Sequence, residues 1–338
     1  ESLYLYLLQK REENELSQAF TAYNTRIITK PGGSMIPTAP IKKNILLVAF
    51  ALGLLIPVVV IFIRENMNTR VRGRKDLDDL SVPFIGEIPL AICGKKKVKS
   101  HEAHTIVVKE GSRDIMNEAF RVLRTNLEFM IGKDRSSNVI VITSFNPGSG
   151  KSFLTMNIAM SLAIKNKKVL VIDGDLRHAS ASAYIHSPEV GLSNYLGGQV
   201  DELSDIIVTD KQHPSFSFIP VGTIPPNPTE LLFDDRLQKA IHTLKQQYDV
   251  VLIDCPPVEL VADTQIIEKW ADRTVFVVRA GLLERSMLPE LENIYREKKY
   301  KNMSVILNGT EGAGGRYGYR YGYRYGYGSG SYYGSSSK

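Results

Sequence analysis

Cysteine is nearly absent: the 338-residue chain carries two, Cys93 and Cys255. Two lone thiols exclude a disulfide scaffold. They have no metal-ligand spacing either, so a reducing compartment is the simplest setting. Long apolar runs are absent with one exception, which excludes a polytopic transporter. Acidic residues fall short of basic ones, 36 against 42, leaving a net charge of +6. That balance admits nucleic acid, an anionic membrane or phosphate ligands. Hydrophobic residues at 43% and charged residues at 23% exclude wholesale disorder and collagen. The length suits roughly two domains at about 150 residues each. The chain opens on Glu1, not Met, so further residues are expected upstream.

The one long apolar run is Ile45 to Ile63, nineteen residues without a charge. As a helix rising about 1.5 Å per residue it reaches about 28 Å, close to a bilayer core of about 30 Å. A buried core helix is the alternative, but such helices rarely run this long without a polar face. Gly53 and Pro57 are tolerated in membrane helices. The run is too long and too internal for a signal peptide. Arg64, Arg70, Arg72, Arg74 and Lys75 follow it, opposed nearby by Glu65; Lys42 and Lys43 precede it. The positive-inside rule then puts the C-terminal side in the cytoplasm. The same basic cluster suits anionic lipid headgroups. Upstream, Leu16, Phe20, Tyr23 and Ile27 share one helical face, and Pro31, Gly32, Gly33, Pro37 and Pro40 break the pattern. Residues 1–44 therefore read as the end of an extracytoplasmic helical stalk and a Pro-rich connector.

From Val139 onward, short β-branched runs alternate with helical stretches: 139–143, 169–172, 250–253, 274–278 and 304–307. Apolar on both faces, they read as central strands of a doubly wound, mostly parallel α/β sheet. The first strand runs into Ser144–Ser152, SFNPGSGKS, and a helix from about Lys151 to Lys165. Strand, Gly-rich turn and helix start are the setting of a P-loop. Pro147, Gly148, Ser149, Gly150 and Lys151 would cradle phosphates, Ser152 would bind Mg²⁺, and Phe153 closes the candidate nucleotide set. The usual opening Gly is missing: Phe145 stands there. The second strand ends in Asp173, Asp175 and Arg177, placing both carboxylates at the edge where phosphates sit. The third ends in Asp254, a Walker B carboxylate able to hold Mg²⁺ directly or through water. Asn308 ends a later strand; it suits reading an adenine edge or forming a turn.

Glu118, Arg121 and Arg124 lie at i, i+3, i+6 on a helix. Taken alone, they fit a solvated helix with an internal ion pair. Residues 95–113 are basic and polar and read as linker, with His101 and His104 solvated. Residues 312–338 hold nine Gly, eight Tyr and five Ser, with no aliphatic residue larger than Ala. Such a tail cannot form a packed core and is expected to be disordered. Its tyrosines are Tyr317, Tyr319, Tyr321, Tyr323, Tyr325, Tyr327, Tyr332 and Tyr333. They suit stacking on bases or glycans, or accepting phosphate on a flexible tether.

Together these motifs resemble bacterial tyrosine kinases of the Wzc type, the polysaccharide co-polymerases of capsule and exopolysaccharide export. The resemblance covers nearly the whole chain. It implies that Pro147-Gly148 is a family variant of the P-loop, and that Lys151, Asp173, Asp175 and Asp254 are catalytic. It implies Mg²⁺ at Ser152, Asp173, Asp175 and Asp254. It makes Glu118, Arg121 and Arg124 an oligomerisation helix and the eight tail tyrosines phosphoacceptors. An earlier membrane helix and an extracytoplasmic domain are expected upstream of Glu1. The expected layout is stalk 1–44, membrane helix 45–63, juxtamembrane linker 64–111, kinase domain 112–311 and acceptor tail 312–338. The expected activity is ATP- and Mg²⁺-dependent autophosphorylation in trans within a ring at the inner membrane, serving polysaccharide export. Expected partners are further copies of the chain, membrane lipid, a tyrosine phosphatase and an outer export channel, with no nucleic acid. The rivals are a membrane-tethered ATPase of the chromosome-partitioning type, which usually has Lys where this chain has Asn146, and a structural co-polymerase that binds ATP only to oligomerise.

Overall fold

The structure, a computed structural model, describes residues 1–20, 32–33, 41–90, 105–132, 139–258 and 262–310. It divides into two units, Glu1–Met67 and Asn68–Lys338. In the first unit, α1 (Ser2–Phe20) carries exposed ion pairs Lys10–Glu13 and Arg11–Glu15 one turn apart. Such pairs contribute little in water. Tyr23 and Ile27 lie outside the described residues. Helix α2 (Lys42–Asn66) includes Pro57, and its stretch Lys42–Ile63 is long and apolar enough to cross a membrane, with none of it buried by protein.

Among the described residues of the second unit, eight strands form one sheet. They are β1 (Phe84–Pro89), β2 (Val139–Thr143), β3 (Val169–Asp173), β4 (Val208–Thr209), β5 (Phe216–Ile219), β6 (Val250–Asp254), β7 (Arg273–Arg279) and β8 (Ser304–Thr310), in spatial order β1-β8-β7-β2-β6-β3-β5-β4. Every neighbouring pair is parallel except β4 with β5 at one edge. Strands β2, β3 and β6 are buried at every position, as their unbroken apolar runs require. Helices α3 (Ile115–Ile131) and α4 (Lys151–Ala163) pack with Ile85, Ile88, Ile140 and Ile142 on one side of the sheet. Helix α5 (Asp235–Gln247) packs Leu237, Ala240, Ile241 and Leu244 with Val139, Val141, Val251 and Ile253 on the other. The sheet is therefore doubly wound.

The stretch read as juxtamembrane linker differs from expectation. Val71, Leu77, Val82, Ile85 and Ile88 are buried, and β1 extends the sheet beside β8. Pro83 precedes β1 and Pro89 ends it, and proline cannot donate to a ladder. An edge strand has a bond-free side where that loss is harmless, and Gly86 leaves room for Leu123 of α3. Residues 69–71 are also tied down, with Val71 N–H donating to the Leu283 carbonyl at 2.8 Å and Gly281 N–H donating to Val71 at 2.7 Å. Residues 91–104, with Cys93, His101 and His104, lie outside the described residues.

Segment 105–110, also read as linker, is held by two amides. The Asn157 Oδ1 of α4 accepts from the N–H groups of Val107 and Val108 at 2.8 and 3.1 Å. Asn117 Oδ1 accepts from Lys109 N–H at 2.8 Å. Replacing Asn157 with Ala removes the acceptor for two N–H groups at once. Urea unfolding of the full chain in detergent should show a loss of about 1–3 kcal/mol. An unchanged midpoint would mean that apolar contacts alone hold the segment.

Candidate active site

The C-terminal edge of β2 leads into the phosphate-binding turn, and four contacts fix its path. Phe145 is buried against Phe276 of β7, ring centroids 5.3 Å apart. A large apolar anchor thus occupies the position where the common pattern has glycine. The hydroxyls of Ser144 and Ser149 both donate to the Asn146 carbonyl, at 2.8 and 2.7 Å. From β8, Asn308 Nδ2 donates to the Ser149 carbonyl at 2.8 Å. Gly150 then caps α4 with φ +86°, where a Cβ would collide with the Asn308 amide. The first bond of α4 runs from Leu154 N–H to Gly150. The N–H groups of Lys151, Ser152 and Phe153 therefore have no acceptor within the helix and face the turn as an anion site.

Across β2, the carboxylates gather. Register pairs Asp173 at the end of β3 with Asp254 at the end of β6. Asp254 accepts from Ser152 Oγ at 2.5 Å and from Thr155 Oγ1 at 3.4 Å. Asp173 accepts from both the N–H and the hydroxyl of Ser182, each at 2.7 Å. Asp175 accepts from the backbone of Arg177 and His178 at 3.2 and 3.1 Å. All three carboxylates are buried. Burial, then the charge of Asp254, raises the Asp173 carboxyl well above its ordinary range. Burial also raises Asp254, opposed by the Lys151 ammonium and the Ser152 hydroxyl. Arg177 turns sideways, donating to Asp263 at 2.8 Å and Thr229 at 2.9 Å.

Several expected site residues occupy other places. The Phe153 ring packs edge-on to Phe120 of α3, centroids 5.9 Å apart, so only its backbone faces the turn. Asn308 braces the loop rather than standing free at a strand end. Glu118 and Arg121 form an exposed ion pair at 2.8 Å, but Arg124 is buried and donates to the Ser161 carbonyl of α4 at 2.8 Å. Six residues of α-helix turn about 600°, so Arg124 cannot share the face of Glu118. The eight tail tyrosines lie outside the described residues. Thr155 and Ser182 were not read from the sequence. Thr155 stands one turn after Lys151 and helical spacing could have found it; Ser182 follows Asp173 by a loop with no pattern.

No group of three or more His, Cys, Asp or Glu side chains among the described residues is gathered to hold a metal by itself. Mg²⁺ does not require one: it takes one or two protein oxygens and completes its shell with phosphates and water. Ser152 and Asp254, 2.5 Å apart beside the anion site, fit that demand. Asp173 is already committed to Ser182 and fits only through water.

Three buried carboxylates at one sheet edge repel each other in the ligand-free protein. Asp254→Asn keeps the shape and removes one charge. In EDTA it should raise the melting temperature by about 2–4 °C. A lower melting temperature would mean that the Lys151, Ser152 and Thr155 contacts outweigh the repulsion.

Comparison with known proteins agrees with this geometry. A family model described as an AAA domain matches residues 137–304. The chain is 31% identical to the tyrosine-protein kinase wzc of Salmonella typhimurium, over 91% of this chain and 44% of that one. It is 31% identical to the tyrosine-protein kinase etk of Escherichia coli, over 83% and 40%. The chain thus spans less than half the length of these curated relatives. The solved kinase domain of Escherichia coli tyrosine kinase ETK superposes with a TM-score of 0.63 at 30% identity, covering 77% of this chain and 100% of that domain. By these matches, on a P-loop joined to two strand-end carboxylates, the chain belongs to the bacterial tyrosine kinase family.

Proposed function

We propose that this chain is a membrane-anchored tyrosine autokinase that moves the γ-phosphoryl group of ATP to the tail tyrosines of a neighbouring copy. The observation that carries this reading is the Ser152–Asp254 contact at 2.5 Å beside the free N–H groups at the start of α4. It joins an anion site to a carboxylate in one place. Lys151 and the loop N–H groups stabilise charge on the transferring group, since positioning and electrostatics dominate phosphoryl transfer. Ser152 and Asp254 would hold Mg²⁺, with Asp173 and Asp175 behind it, and the ion would neutralise charge on the β- and γ-phosphates. A tyrosine hydroxyl, pKa about 10, needs an acceptor for its proton. The two hydrogen bonds that Ser182 donates to Asp173 favour Asp175 for that role.

The remaining elements fit this activity at the inner membrane. The apolar helix would span it, with the basic residues after it on the cytoplasmic side against anionic lipid. Copies would assemble in a ring through Glu118 and Arg121, with Arg124 holding α3 to α4. Phosphates add about −1.5 to −2 charge each, enough to overwhelm Arg316, Arg320 and Arg324 and loosen the ring. A phosphatase would reset the tails, and assembly cycles would serve polysaccharide polymerisation and export through an outer channel.

The test uses γ-labelled ATP and Mg²⁺ with wild type, Lys151→Met, and a variant with the eight tail tyrosines changed to Phe. Label on wild type alone is expected. Label persisting on the tail variant would move the acceptors elsewhere, and hydrolysis without label would favour a tethered ATPase. A second test separates the helix residues. Arg121→Ala should reduce assembly mass by light scattering and leave the melting temperature unchanged. Arg124→Ala should lower the melting temperature, because it removes a buried contact between two helices. Equal effects on both measurements would reject that division.

A further inference from the structure

Arg279, at the end of β7, lies on the phosphate loop without a charge partner. Its side chain forms no hydrogen bond, ion pair or ring contact among the described residues. Its position is nevertheless defined. A Cβ built on Gly309 would lie 3.4 Å from Arg279 Cζ and 3.6 Å from both Nε and Nη2. An approach within the guanidinium plane would bring the nitrogens closer than the carbon. The carbon is the nearest atom, so Gly309 covers a face of the plane. The Nη1 edge reaches to 3.3 Å from a Cβ position on Gly150, the residue that caps α4. Gly309 has φ +75° and no side chain, and both properties let the guanidinium lie flat on it. Arg279 is paired in register with Asn308, which braces the same loop.

This cation stands on a particular side of the loop. Asp173 and Asp254 end β3 and β6, on one side of β2. Arg279 ends β7, and Asn308 stands two residues before the end of β8, on the other side. The carboxylate side is where Mg²⁺ and the terminal phosphates belong. The nucleoside end of a bound nucleotide then extends over β7 and β8. A flat guanidinium supported on one face and lacking a carboxylate has the form of a stacking platform.

We infer that Arg279 is the nucleobase platform of this site, stacking the face turned away from Gly309 on the purine ring instead of pairing with phosphate. The inference rests on the nucleotide reading proposed above. It assigns base binding to a residue outside the P-loop and acidic motifs, and it explains why glycine stands at 309. Because stacking is the same before and during transfer, Arg279 supplies uniform binding rather than acceleration.

The full chain in detergent, with Mg²⁺, is titrated with ADP and separately with inorganic tripolyphosphate. Wild type is compared with Arg279→Ala and Arg279→Lys. Both variants should bind ADP about tenfold more weakly and tripolyphosphate as well as wild type does. The Lys variant keeps the charge and loses the plane, so its failure to restore ADP affinity is the distinguishing result. Restoration by Lys, or weakened tripolyphosphate binding in the Ala variant, would make Arg279 a phosphate contact and overturn the inference. Unchanged ADP affinity in both variants would also overturn it while leaving the nucleotide reading intact. Wild type that binds neither ligand would remove both.

Discussion

The register between β3 and β6 is the constraint on which the rest of the site depends. It sets Asp173 opposite Asp254 at the same height on the sheet edge, one strand away from the phosphate-binding turn. Parallel pairing at about 4.8 Å between strands leaves little freedom in that arrangement. A slip of one residue in either strand would turn its carboxylate to the opposite face of the sheet. The ends of the apolar runs limit such a slip, because it would draw a terminal carboxylate into the core or push an apolar residue out of it. Every residue there is buried, and the first polar positions come where the strands end. The hydrophobic core and the placement of the acidic groups are thus one fact seen at two points along the same strands.

The turn itself is held from the other side. Phe145 anchors its start in the cluster of Phe276, Val278, Leu283 and Leu307, and Asn308 fastens its middle. Both anchors depend on β7 and β8, which lie far along the chain from the turn. This is why position 145 needs no glycine: the loop path is fixed by an apolar plug and an amide, and the left-handed conformations fall at Gly148 and Gly150. A free backbone N–H set at the head of α4 is what remains once the carbonyls of Asn146 and Ser149 are occupied by their own neighbours.

How much of this was legible follows from the range of the interactions. The five central strands, the turn and its carboxylates could be read because each is local: an apolar run, a glycine-rich turn, a strand-terminal Asp. Strand β1 was missed because its prolines are tolerable only at a sheet edge, and edge position is a property of the whole sheet. The burial of Arg124 is not legible in the i, i+3, i+6 spacing alone, because six residues carry a side chain to the buried flank of α3. Ser182 and the role of Asn308 were not legible, since each acts across 9 or 159 residues of sequence through one hydrogen bond. Short-range pattern therefore reveals the candidate ligand-binding residues, and long-range packing decides what holds them.

The two edges of the sheet separate stability from chemistry. At the N-terminal edge, Asp272 accepts from Lys245 at 2.7 Å and from the first N–H of β2 at 2.9 Å. Asp249 likewise accepts from the N–H of Lys168 at 2.9 Å, just before β3. Each of these carboxylates caps a strand start and lies partly in water, where its charge costs little. At the C-terminal edge, Asp173 and Asp254 are buried beside each other and beside Asp175, with the Lys151 ammonium acting on Asp254. A fold under selection for stability alone would not gather three acids where burial raises two of them. Lys151, Ser152, Thr155 and Ser182 offset part of that cost and a bound cation would offset more, so burial and charge together mark this edge as the candidate working edge.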